Sequence, residues 1–179
     1  MAVRLLFLLV ILLVAGCDEG LTSYEAPRYT VTFQRIMLEK VGCDSLLSPP
    51  DNLDAEVRYY FAVSGWDGLF PGYSVYWPDS LYAVALKAGE WHALVRPDGT
   101  PAAVKTVEAG EVPCGPGARV LALWGEVYDW DEGNGVEIIG RFDGGFCSSE
   151  IPLGTSAIHL AESAGTSVVL EYTIQRAAR

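Results

Sequence analysis

Little in this chain of 179 residues equips it for familiar enzyme chemistry. It has two histidines, His92 and His159, far apart and each without a metal-ligand spacing. No His-Glu-x-x-His, Gly-x-Ser-x-Gly, phosphate-binding glycine loop or dinucleotide fingerprint occurs, so zinc peptidase, serine hydrolase and nucleotide chemistries lack their recognisable parts. Four cysteines are present, but none sits in a Cys-x-x-Cys pair, which argues against a zinc site. Basic residues are scarce: 12 Lys and Arg stand against 23 Asp and Glu, giving a formal charge of −11 that repels nucleic acid. Apolar runs are short as well, with one exception at the N-terminus. Carboxylates alone are abundant. They leave a glycosidase-type pair open without singling one out, and the balance of motifs favours a non-enzymatic role.

The exception is Leu5 to Val14, ten apolar residues preceded by Arg4 and followed, after Ala15, Gly16 and Cys17, by Asp18 and Glu19. A membrane-crossing helix needs about 20 apolar residues; a positive residue and a short apolar stretch instead fit an export signal. Val14-Ala15-Gly16-Cys17 resembles the bacterial lipobox. That resemblance implies that residues 1–16 are a removable signal peptide. It further implies that Cys17 carries a diacylglycerol thioether and an acylated amino group, with palmitate-type chains holding the protein to a membrane of the cell envelope. Asp18 resembles an inner-membrane retention signal whose rule varies between bacterial groups, so the leaflet stays open. Removing 1–16 takes away only Arg4 among the charged residues and leaves 163 residues with 11 basic and 23 acidic side chains, a charge of −12. Residues 17–28 then form the lipidated cysteine and a tether spanning at most roughly 35–40 Å, and 29–179 form one domain.

That domain reads as β. Tyr29, Val31 and Phe33 alternate with polar residues and the phase then shifts to Ile36 and Leu38, which predicts a bulge. Val57, Tyr59, Phe61 and Val63 alternate likewise. Further strands are expected at 73–77, 81–87, 91–96, 102–108, 118–128, 136–142 and 167–175, separated by Gly, Pro, Asp and Asn. One short helix is expected over 157–164. Many short strands with turns between them imply an all-β antiparallel β-sandwich.

The sharpest local pattern is Glu126-Val-Tyr-Asp129-Trp130-Asp131-Glu-Gly-Asn-Gly-Val-Glu137-Ile138-Ile139-Gly140. Asp129 and Asp131 are two apart and point to one side of an extended segment; Glu137 returns on the next strand. Converging carboxylates call for a hard cation, and calcium takes oxygen ligands of this kind. The spacing resembles the third calcium-binding loop of C2 domains: Asp-aromatic-Asp, five residues, an acidic residue, two apolar residues and glycine. The resemblance implies a C2-like sandwich and a contribution from the loop between its first two strands, here Gly42 to Asp54, where Asp54 matches the aspartate at the strand start. The implied metal ligands are thus Asp129, Asp131, Glu137 and Asp54, with Ca²⁺ as cofactor.

Three cysteines remain beyond Cys17. A 118–128/137–144 hairpin puts Cys114 and Cys147 near one end and favours a Cys114–Cys147 disulfide, while a different loop path would permit Cys43–Cys147. The aromatics Trp66, Tyr73, Tyr76 and Trp77 suit either a sandwich core and its lid or a ligand-stacking surface. The leading reading is a lipid-anchored module for calcium-dependent binding, or a calcium-stabilised scaffold, with a lipid head group, glycan or envelope protein as partner. The alternative is a metal-independent envelope module binding glycan or protein through the Trp66–Trp77 aromatics. A hydrolase comes third.

Overall fold

The computed structural model describes residues 25–40, 54–66, 71–76, 84–131, 135–160 and 166–178. Its ten strands are β1 (Arg28–Lys40), β2 (Asp54–Trp66), β3 (Pro71–Tyr76), β4 (Val84–Lys87), β5 (Trp91–Ala93), β6 (Ala103–Glu108), β7 (Leu121–Asp131), β8 (Gly135–Phe146), β9 (Gly154–Leu160) and β10 (Ser167–Arg176). They make two antiparallel sheets. The first has the order β5-β1-β10-β9, with β6 also on β1; the second has the order β3-β2-β7-β8, with β4 also on β2.

Each sheet is therefore four rows wide, and one edge row of each is split. In the first sheet β5 covers Arg35–Met37 of β1 and β6 covers Arg28–Phe33. Between them the chain leaves the sheet in a small hairpin. There the Arg96 amide donates to the Thr100 carbonyl, Asp98 accepts from both the amide and the hydroxyl of Thr100, and Gly99 takes φ 82°. In the second sheet β4 covers Asp54–Val57 of β2 and β3 covers Phe61–Trp66.

Period-two alternation explains the core. Val31, Phe33, Ile36 and Leu38 of β1, Leu170, Tyr172 and Ile174 of β10, Phe61 and Val63 of β2, and Leu121, Leu123 and Val127 of β7 are all buried between the sheets. The rings of Phe33 and Phe61 lie 4.8 Å apart, with Phe142 6.0–6.4 Å from both. A register shift between Phe33 and Arg35 marks the bulge that the sequence phase change predicts, so both Phe33 and Ile36 face inward. Two glycines let the sheets close at their sides. A side chain at Gly65 would collide with the Glu108 carbonyl, and one at Gly140 would stand 2.9 Å from the Leu160 Cβ.

The short helix expected over 157–164 is not formed across its described part. Residues 154–160 are β9, paired with β10 from Gly154↔Ile174 to Leu160↔Val168. The alternation of exposed Ala157 and His159 with half-buried Ile158 and buried Leu160 fits a strand on the edge of the first sheet. Neighbouring backbone supplies the hydrogen bonds that a helix would have made internally. Among the described residues no helix is long and apolar enough to cross a membrane. Residues 1–16 and Cys17 lie outside the described residues.

Cys114 and Cys147 are joined by a disulfide, with Cα atoms 5.2 Å apart and a separation of 33 positions in sequence. The bridge pins the loop before β7 to the end of β8, beside the Leu121↔Phe146 pair. Cys43 lies outside the described residues.

Candidate functional site

β7 and β8 form one long hairpin. β7 is apolar on its inner side because Leu121, Leu123 and Val127 fill the core, and β8 returns through Phe142 and Ile139 to the same core. Pairing continues further than the sequence suggests: Asp129 is the direct partner of Glu137 and Asp131 of Gly135. The acidic positions therefore stand on the ladder itself, and only residues 132–134 separate the strands. A register shift between Val127 and Tyr128 places an extra residue in β8 next to these positions. Bulges of this kind redirect a strand end.

β2 lies on the other side of β7, with Val57 paired to Asp129 and Gly65 to Leu121. Asp54 opens β2 and pairs with Lys87 of β4. Asp54, Asp129, Asp131 and Glu137 thus share one end of the second sheet, in three adjacent strands. For these four the structure describes backbone position and register only. The same holds for Trp66 and Tyr73, at the opposite end of β2 and its partner β3, where Trp66 pairs with Pro71 and Ser64 with Tyr73, and for Tyr76, which pairs with Phe61 in the middle of β2. Trp77 lies outside the described residues.

A polar network absent from the sequence expectations lies on the outer side of the same hairpin. Trp124, Glu126 and Tyr128 alternate with the buried residues of β7 and so share the outer side. Tyr60 of β2 packs its ring edge-to-face on Trp124 at 4.9 Å. The Tyr128 hydroxyl donates to Glu126, whose other oxygen accepts from Arg141 Nε at 2.6 Å. The Tyr128 bond, reinforced by Arg141, holds the Glu126 carboxyl below the usual carboxylate range. Burial, together with the neighbouring Glu126 carboxylate, pushes the Tyr128 phenol up to about 12. Spacing of two along β7 would have exposed half of this network in the sequence; Arg141, fifteen residues away, joins it only through the β7–β8 register.

On the first sheet, Arg35 makes two parallel bonds to Glu171 at 2.8 and 2.9 Å and lies 4.3 Å from the Trp91 ring centre. His92 is half-buried and its pKa is lowered by burial. His159 stands 3.5 Å from Glu39 on the outer side, remote from His92. Among the described residues, Cys114, Cys147 and Glu150 are metal-ligand types that lie close together, but the sulfurs are committed to the disulfide. No catalytic grouping of nucleophile, base and orienting residue is formed by the described side chains around His92 or His159.

No family model matches the chain, and no curated protein does. Similar solved structures exist. A C2 domain is 14% identical with a TM-score of 0.35, over 83% of this chain and 98% of that one. The C2A domain of a plant extended synaptotagmin 1 is 9% identical with a TM-score of 0.41, over 87% and 98%. Human GIVD cytosolic phospholipase A2 is 11% identical with a TM-score of 0.40, over 86% of this chain and 17% of the enzyme.

Proposed function

We propose that this protein is a lipid-anchored module of the bacterial cell envelope whose second sheet binds calcium at the end formed by Asp54, Asp129, Asp131 and Glu137. The supporting observation is the register. Asp129 and Glu137 are cross-strand partners, Asp131 is two positions on, and β2, which opens at Asp54, is paired with β7 at Val57↔Asp129. Like charges directly opposite on adjacent strands destabilise a sheet. A divalent cation removes that penalty and takes the 6–8 oxygens it requires from carboxylates, carbonyls and water. Bound there, it would lock the paired ends of β7 and β8 to the start of β2 and offer remaining coordination positions to an acidic group on a lipid, glycan or protein. The anchor is Cys17, on the strength of the Val14-Ala15-Gly16-Cys17 motif.

Calorimetric titration of the full chain with calcium, beside an Asp129→Asn/Asp131→Asn variant, tests the metal reading. Saturable heat in the parent that disappears in the variant is the expected result. Equal heats in the two, or none at millimolar calcium, would remove calcium from the function and leave a metal-free binding module.

A further inference from the structure

Four large apolar side chains are exposed among the described residues: Trp91, Val95, Val104 and Leu153. Two of them, Trp91 and Val104, lie on one row, the split β5–β6 edge of the first sheet, and Val95 stands between them at the base of the 95–101 hairpin, bridged to Pro101. Trp91, Ala93 and Val95 follow at alternate positions while Leu94 between them is buried, and Val104 resumes the same side after the 95–101 hairpin, flanked by buried Ala103. Their partners on β1 are Met37 for Trp91, Arg35 for Ala93 and Thr32 for Val104. The result is an apolar ridge along the outer side of a sheet edge. Such edges are ordinarily guarded by charge or proline; here the prolines, Pro97 and Pro101, sit on the protruding hairpin, and Trp91 is held by the cation of Arg35.

We infer that this ridge rests on the lipid bilayer to which Cys17 tethers the chain, so that the domain lies on its β5–β6 edge. The inference builds on the lipid-anchor reading above and is independent of calcium. Tether length and its point of attachment decide between postures. β1 begins at Arg28, directly beside the end of β6 at Glu108. The acidic end of the second sheet is at the far end of the sandwich, since β2 meets Leu121 at Gly65 and Asp129 only at Val57. β1 is 13 residues long, about 40 Å at strand rise. The eleven residue-to-residue steps from Cys17 to Arg28 reach about 36–40 Å when fully extended. Standing on the acidic end would consume that whole reach. Lying on the edge beside β1 requires little of it.

Chemistry agrees with the posture. Trp91–Glu108 carries Arg96 and Lys105 against Asp98 and Glu108, a locally neutral stretch in a chain of net −11. This is a surface that acidic head groups do not repel. Tryptophan with an apolar flank and a nearby cation is the side-chain set favoured at the membrane–water boundary.

The test uses the mature, lipidated protein in vesicles of phosphatidylcholine with brominated acyl chains, which quench tryptophan only at the bilayer. Flotation with the vesicles reports the anchor, and quenching reports the ridge. The chain has five tryptophans, so the parent is compared with Trp91→Phe, which keeps a ring under Arg35, and with Val104→Asp at an exposed position. The expected result is flotation of all three, with most of the quenchable emission lost in Trp91→Phe and quenching weakened in Val104→Asp. Flotation with quenching unchanged in Trp91→Phe would put another tryptophan at the bilayer and overturn the ridge. Flotation without quenching would do the same, and a dimer in sedimentation would then assign the ridge to a second copy. Failure to float would overturn the anchor and the ridge together, a result distinguishable from the others at the first step.

Discussion

Asp129→Asn is expected to change the sign of its effect on stability between calcium-free and calcium-loaded protein. Asp129 and Glu137 are partners in an antiparallel ladder, so their Cα atoms are about 4.5–5.5 Å apart. Two unit charges roughly 5.5 Å apart in a water-like dielectric repel by about 0.75 kcal/mol, within the range measured for directly opposed side chains. Without calcium, removing one charge therefore stabilises the fold by about 0.5–1 kcal/mol. In a domain of this size 1 kcal/mol moves the melting midpoint about 2–4 °C. With calcium at 100 times its dissociation constant the parent gains about 2.7 kcal/mol, or roughly 5–11 °C, and the variant loses most of that gain. Differential scanning calorimetry at low salt, where screening is weakest, should show the variant melting above the parent in chelator and below it in calcium. A variant that melts below the parent in both conditions would refute the reasoning, because the carboxylate would then be stabilising in its own right. Identical calcium responses would refute it equally.

The outer network predicts a pH dependence with two limbs. The folded Tyr128 phenol titrates at about 12, above the unfolded value near 10; its contribution is present below about pH 10 and is lost as pH rises towards 12, and Tyr128→Phe should flatten this alkaline limb in urea titrations. Glu126 is shifted the other way, so its contribution holds above the ordinary carboxylate range and disappears as pH falls through the depressed value; Glu126→Gln should flatten the acid limb. Reduction of Cys114–Cys147, whose partners are 33 residues apart, should cost about 3.7 kcal/mol by loop entropy, read as a lowered urea midpoint in dithiothreitol that Cys114→Ser does not show. Gly140→Ala forces a Cβ to 2.9 Å from Leu160 Cβ and should cost about 1–3 kcal/mol, with part of that loss relieved in combination with Leu160→Ala, since the two sites share one contact.

Much of the fold is legible because a strand has a period of two. Tyr29-Val31-Phe33 and then Ile36-Leu38 can face one core only if the chain gains a residue between them, and the register shift lies there. The hairpin at 126–140 was equally readable, although its ladder runs on to Asp131↔Gly135. The error at 157–164 has the same root. Ala-Ile-His-Leu-Ala-Glu has adequate helix formers and few β-branched residues, so local propensity was ambiguous. Pairing with β10, from Leu160↔Val168 to Gly154↔Ile174, decided the matter.

Function-bearing surfaces are harder to read because they combine residues that sequence keeps apart. Asp129 and Glu137 are near neighbours in sequence and were visible as a pair; Asp54 joins their end of the sheet only because β2 lies beside β7. Glu126 and Tyr128 were readable as one strand side, but Arg141 and Tyr60 arrive from β8 and β2. The ridge is the extreme case. Trp91 and Val104 are thirteen residues apart, in two three- and six-residue strands that look like separate elements, and they become one row only because β5 and β6 both pair with β1 around the 95–101 hairpin. An apolar residue in a short strand reads as core until its row is known to be an edge. Trp91 and Val104 point away from the core because their partners on β1, Met37 and Thr32, belong to the outer phase, opposite to Ile36, Phe33 and Val31.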